Sequence, residues 1–220
     1  MERKALVAWS GGKDSALALH RIAREDRLGV EGLLTTVTAS YDRITMHGVR
    51  KQLLERQAES LGLPLLVAEI PAECGDEVYD RVMGEALDEA SARGIEAIVF
   101  GDIFLEDVRR YREERLARAP MEAVFPLWGE DTGALAREFI DLGFRAVLTC
   151  VDSDALDGSF AGREYDGDLL ADLPPGVDPC GENGEFHTFV WDGPGFARPL
   201  AIVRGEVVVR EARFHFQDLM

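Results

Sequence analysis

Six consecutive residues, Ser10-Gly11-Gly12-Lys13-Asp14-Ser15, gather the chemistry an oxyanion needs. Gly11 and Gly12 let the main chain approach a phosphate where a Cβ would collide, Ser10 and Ser15 offer hydroxyl hydrogen bonds, and Lys13 offsets negative charge. Asp14 has the wrong sign for a phosphate unless a cation intervenes, which assigns it to magnesium, directly or through water. A serine-capped helix start with a tight glycine turn would account for the serines and glycines, and would leave Lys13 and Asp14 unexplained. The spacing is neither that of a Walker A loop nor that of the dinucleotide fingerprint.

Such a loop works only where a strand delivers it and a helix follows, because the helix N-terminus adds N–H groups and a positive dipole end to the lysine. Ala5 to Trp9 is apolar and strand-like, and beyond the glycines Ala16, Leu19, Ile22 and Ala23 recur at helical spacing. Strands over 32–37, 65–70 and 97–100 then alternate with helices over 49–61 and 77–93, followed by a helix over 105–117, a strand over 123–125, a helix over 133–142 and a strand over 146–151. That alternation predicts an α/β fold, a doubly wound, mostly parallel sheet with helices on both faces. Residues 152–179 turn to Asp, Gly and Pro, while 186–191 and 200–209 read as strands of a small terminal sheet. The expected organisation is a phosphate-binding domain over 1–150 and a small α+β substrate unit over 151–220, with a soft boundary near Cys150.

The complete Ser-Gly-Gly-Lys-Asp-Ser match after a first strand resembles the N-type ATP pyrophosphatases, the PP-loop superfamily. The resemblance implies an adenine nucleotide alpha hydrolase-like fold of the wider HUP, Rossmann-like kind. It also implies a loop that holds the pyrophosphate portion of ATP, attack at the α-phosphorus, and displacement of AMP from an adenylylated substrate. Within that superfamily the chain is similar, over nearly its whole length, to the diphthine-ammonia ligase family. Three segments carry this: Met46-His47-Gly48-Val49-Arg50; Gly101-Asp102-Ile103-Phe104-Leu105-Glu106-Asp107 with Tyr111-Arg112-Glu113; and Cys180-Gly181-Glu182-Asn183-Gly184-Glu185-Phe186-His187-Thr188. The family implies ATP, ammonia as nucleophile, and a carboxylate-bearing acceptor, a modified histidine on an elongation factor, and the Mg²⁺ expected at Asp14 would accompany the ATP.

Gly101 and Asp102 follow a predicted strand, on the rim where open parallel sheets bind ligands, and join the loop as expected ATP-binding residues. Asp102 fits a helix cap and a ligand or magnesium role equally. His47 fits a structural and a nucleotide-site role equally, and Arg50 can reach a phosphate or a substrate carboxylate or lie on the surface. Glu106, Arg109 and Arg112 recur at spacings of three, and an ion-pair ladder on a solvated helix face is the favoured reading for the two arginines. The segment from Gly181 to Thr188 sets two carboxylates, an amide and an imidazole between glycines, material for a loop that handles polar ligands. Glu182 and Glu185 are candidates to hold ammonium, orient an amine or serve as base, with His187 beside them in the catalytic set. Asn183 and Thr188 are candidates to hydrogen-bond the substrate. Diphthine-ammonia ligases tend to carry Glu-Gly-Gly-Glu-Tyr-Glu-Thr here, and Asn183 and His187 depart from that pattern.

A formal charge of −17 over 220 residues opposes binding to polyanions, so nucleic acid is not an expected partner. No apolar run approaches the roughly 20 residues of a membrane span. The opening Met1-Glu2-Arg3-Lys4 runs into the first strand with no small-residue cleavage site behind it, and Cys74, Cys150 and Cys180 show no CxxC spacing. A reducing cytoplasm is therefore expected, without a disulfide framework or zinc site. A homodimer is compatible with this composition. Two competing functions follow from the same loop: modification of a tRNA base, which the acidic surface and missing catalytic cysteine pair disfavour, and adenine-nucleotide binding without turnover.

Overall fold

The computed structural model describes residues 2–25, 27–38, 48–71 and 75–220, whose strands form two sheets. The first is parallel: β1 (Arg3–Ala8), β2 (Leu28–Thr38), β3 (Leu65–Ile70), β4 (Ala97–Val99) and β5 (Glu122–Val124) lie in the order β3-β2-β1-β4-β5. The helices are α1 (Lys13–Ile22), α2 (Lys51–Leu61), α3 (Asp76–Ala92), α4 (Glu106–Leu116) and α5 (Thr132–Asp141). Successive strand residues point to opposite faces. Ala5, Val7, Leu33, Ala97 and Val99 meet α1, α2 and α5 in one core, while Leu6, Leu34 and Ile98 meet α3 and α4 in another. The sheet is doubly wound, as the alternation predicts. The strand order reverses at β1, between β2 and β4, and opens the rim crevice typical of such sheets just where the glycine loop emerges.

The second sheet is antiparallel: β6 (Arg145–Asp152), β7 (Phe186–Asp192), β8 (Arg204–Arg210) and β9 (Phe214–Leu219), in the order β7-β6-β9-β8. A 3₁₀ turn at Gly158–Phe160 and a short helix, α6 (Gly167–Asp172), fill the loop-rich stretch before β7. The boundary expected near Cys150 therefore cuts through β6, and the change of sheet comes before Arg145. The physical reason is that Ala146–Val151 is an uninterrupted buried run, and such a run looks the same whether its neighbours are parallel or antiparallel. Leu148, Phe189 and Val190 join α1, α2 and α5 in the larger core, so the second sheet shares its interior with the first.

Candidate functional site

The loop's geometry begins with Gly11, whose φ of 77° lies in the left-handed region. A Cβ there would stand 2.7 Å from Leu54 and 2.8 Å from the Gln57 amide oxygen. Gly12 precedes α1 with no side-chain cap, and the Lys13 N–H donates instead to the Thr188 hydroxyl at 3.1 Å. The Val190 N–H donates to the Gly11 carbonyl at 2.9 Å. Strand β7 of the second sheet thus laces the phosphate loop of the first. Ser10 and Ser15 face each other at 3.3 Å, and the Ser15 hydroxyl donates to the Gly12 carbonyl. Gly101 packs against the first turn of α1, where a Cβ would come within 2.8 Å of the Asp14 carbonyl carbon, so its role includes close approach of β4 to the loop.

Lys13 is 4% exposed. Its ammonium donates to both Asp14 carboxylate oxygens at 2.8 Å and to the Cys180 carbonyl, with the Tyr165 and Phe186 rings 5.8 Å away. Burial works against the charge, but the Asp14 carboxylate overcomes it and holds Lys13 above its ordinary pKa. Burial also pushes the Asp14 carboxyl upward, with Lys13 pulling the other way.

From this pair a cavity of about 610 Å³ extends past Leu34 to Thr36 of β2 and Ile98 to Asp102, between α3 and α4, with Cys180, Glu182, His187 and Thr188 on its other wall. That volume is in the range of small-molecule sites. Thr35, 3% exposed, lines the cavity with a hydroxyl that has no hydrogen-bond partner among the described residues. An unsatisfied buried hydroxyl in a cavity wall is a place for a ligand's polar atom.

Glu182 enters the cavity and accepts a hydrogen bond from the Ile103 N–H at 2.8 Å. Burial, opposed by that bond, pushes its carboxyl up to about 7. His187 is driven the other way, to about 4, by burial and then by the Lys13 charge, so its imidazole is neutral at pH 7. Cys180 also lines the wall, but burial raises its thiol to about 12, which removes it as a nucleophile.

Several expected site residues stand elsewhere. Glu185 is 6% exposed and turned into its own loop, where it accepts from the Asp178 N–H, the Asn183 N–H and the Asn183 side-chain amide, each at 3.0 Å. Neither Glu185 nor Asn183 lines the cavity. They are a clasp that shapes the loop, because a carboxylate with three donors within one tight turn is more stable there than in a cleft. Thr188 reaches the cavity wall but spends its hydroxyl on the Lys13 N–H. Arg50 pairs with Asp218 of β9 at 2.6 Å, which joins α2 to the second sheet outside the cavity. His47 lies outside the described residues.

The expected arginine ladder on α4 divides. Arg109 does pair with Glu113 one turn on, and its guanidinium stacks over Phe125 and Trp128. Arg112 instead turns into the cavity wall, gripping Asp102 at 2.7 and 3.2 Å above the Phe100 ring. Asp102 is therefore at the crevice, as expected, but with its carboxylate occupied. A similar pair, Arg115 with Asp80, lines the cavity between α4 and α3. The sequence reading missed this pair, Thr35 and Gln57. Only Gln57 left a signal, a polar residue on the apolar stripe Leu53, Leu54, Ala58 of α2.

Among the described residues no three His, Cys, Asp or Glu side chains converge as a metal site. Of the two carboxylates expected to hold magnesium, Asp102 is paired with Arg112 and 13% exposed, while Asp14 is paired with Lys13 and 32% exposed at the cavity, which makes it the more open to an ion that characteristically takes one or two carboxylates with water and phosphate oxygens completing its shell.

A doubly wound sheet with a lysine-bearing glycine loop at its switch point and a half-open cavity beyond it defines a nucleotide-binding α/β protein. Residues 3–120 match the diphthamide synthase N-terminal domain and residues 131–217 the diphthamide synthase C-terminal domain, so the chain belongs to the diphthamide synthase family. A Danio rerio protein named diphthine–ammonia ligase is 28% identical over 228 residues, covering 91% of this chain and 86% of the relative. A human protein of the same name is 26% identical over 237 residues, covering 92% of this chain and 84% of the relative. Among solved structures, that of PH1313 from Pyrococcus horikoshii Ot3 covers 64% of this chain and 41% of its own with 18% identity and a TM-score of 0.40.

Proposed function

We propose that the chain is an ATP-dependent ligase of the diphthine–ammonia type. The observation that carries this is the buried Lys13 on the lining of a cavity that Glu182, a carboxyl poised near neutrality, also lines. An acceptor carboxylate oxygen attacks the α-phosphorus of ATP, the bond to the bridging β-phosphate oxygen breaks, and pyrophosphate leaves from the loop of Ser10 to Ser15. Ammonia then attacks the acyl carbon, AMP leaves, and Glu182 accepts the proton the nitrogen sheds. Lys13 and the loop N–H groups hold the departing pyrophosphate, and Thr35 offers its unpartnered hydroxyl to the nucleotide. When bound, Mg²⁺ would rest on Asp14 and screen the phosphates.

The acceptor in this reading is a modified histidine on an elongation factor, and the site of action is the cytoplasm. A homodimer is part of the reading. Val207, Val208 and Val209 are 44–50% exposed on the edge strand β8, and a two-fold axis at Val208 sets Glu206 of one copy against Arg210 of the other, which sedimentation can check. Base modification in tRNA and nucleotide binding without turnover draw no support from the matched families.

Titration with Mg-ATP tests the site. Lys13→Ala removes a charge-assisted hydrogen bond of about 1.5–3 kcal/mol, so affinity should fall roughly 10- to 150-fold. EDTA should weaken wild-type binding as well. Unchanged affinity in a folded Lys13→Ala variant would make the loop purely structural.

A further inference from the structure

Gln57 is fully buried in α2, and three of the four hydrogen-bonding positions of its amide are in use, both N–H groups among them. The Trp9 indole N–H donates to its oxygen at 2.8 Å, and its nitrogen donates to the Gly11 carbonyl at 3.0 Å and to the Val190 carbonyl at 2.6 Å. The amide's orientation is dictated: an indole is only a donor and a carbonyl only an acceptor, so oxygen must face Trp9 and nitrogen the two carbonyls. Its three partners are the residue just after β1, the left-handed glycine of the phosphate loop, and the strand of the second sheet that laces that loop. The same amide oxygen occupies the space a Cβ on Gly11 would need.

A buried polar side chain on the apolar face of a helix costs stability unless it is hydrogen-bonded, and here the bonds tie the Gly11 carbonyl to Trp9 and Val190 through one amide. The Gly11 carbonyl also accepts from the Val190 N–H, so it is held from two sides and turned away from the cavity. With that peptide plane fixed, Gly12 and Lys13 follow at the start of α1, both on the lining of the cavity. We infer that Gln57 is a positioning residue for the phosphate loop, setting the Gly11 peptide so that the loop receives the polyphosphate of a nucleotide without rearrangement. This rests on the ATP reading above and adds to it a group that touches no substrate.

The test compares the full chain carrying Gln57→Leu, Gln57→Glu or Leu53→Ala with wild type, by Mg-ATP titration, acceptor KM and thermal unfolding. Leu53→Ala is the control, because it loosens the same helix within the core without touching the loop. Gln57→Leu should lower ATP affinity at least tenfold and leave the acceptor KM unchanged, while Leu53→Ala should lower the melting temperature with ATP affinity within about twofold of wild type. Gln57→Glu should show a pH signature. Protonated, it can still donate to one carbonyl. Ionised, it sets a carboxylate against two carbonyl oxygens, so its affinity relative to wild type should fall as pH rises from 6 to 8.5. Wild-type-like ATP affinity in both Gln57 variants, or an equal loss in Leu53→Ala, overturns the inference and leaves the ATP reading standing. Failure of the wild type itself to bind Mg-ATP overturns both.

Discussion

Glu182 and His187 share one wall of the cavity and are driven in opposite directions by the same burial. For Glu182 the folded pKa of about 7 lies above its ordinary 4.5, so the folded chain binds more protons between those values and loses stability as pH rises through that window. For His187 the folded value of about 4 lies below 6.5, so its contribution is present above 6.5 and is lost as pH falls toward 4. Glu182→Gln should therefore remove the alkaline loss of stability and keep the acid one, which melting temperatures from pH 4 to 8 would read. In turnover, the base form of Glu182 appears as pH rises through about 7. At a fixed concentration of unprotonated ammonia the rate of acyl transfer should rise along that limb in wild type, and Glu182→Gln should lose the limb and be about 10²–10⁴-fold slower. A variant that retains the wild-type limb would move the proton acceptor elsewhere.

At the scale of elements, the loop between α6 and β7 connects the two ends of the chain. Its Cys180 carbonyl receives the Lys13 ammonium, and its shape depends on the Glu185 clasp. A Glu185 that held ammonium or served as base would, when changed to glutamine, spare ATP binding and slow transfer. The structure changes that expectation. A glutamine amide nitrogen must face one of three donors, so the loop should loosen, and ATP affinity should fall along with turnover and stability. Normal ATP affinity in this variant would show that the clasp does not reach Lys13.

The glycine loop was legible because its chemistry is local: strand, glycines, lysine and helix lie within twenty residues. Strand β6 was legible as a strand but not in its partners, because a buried run carries no record of them. The strand reading stopped short of β9, where Phe214 and Phe216 alternate with polar residues only briefly before Asp218 turns to Arg50. Among the expected site residues, Lys13, Glu182 and His187 line the cavity. Arg50, Glu185 and Asn183 do not, because their partners are set by packing between distant segments, a contact that a spacing pattern cannot encode.

Over the whole molecule, a net charge of −17 surrounds a cavity whose walls carry Lys13, Arg112 and Arg115, each held by an aspartate. Pairing keeps these cations inside an acidic protein without making its surface attractive to polyanions, and it poises Lys13 to exchange a carboxylate for a phosphate. The phosphate loop is closed by β7 and the cavity by residues of both sheets, so ATP binding and transfer belong to the junction between the sheets.

The account stands most directly on the products of one reaction: chain, Mg-ATP, ¹⁵N-ammonia and an elongation factor bearing the unamidated histidine derivative, followed by mass spectrometry and nucleotide analysis. It predicts one AMP and one pyrophosphate for each ¹⁵N amide formed, and neither AMP nor pyrophosphate above background without acceptor. Release of ADP and phosphate, or amide formation that continues without ATP, would contradict it.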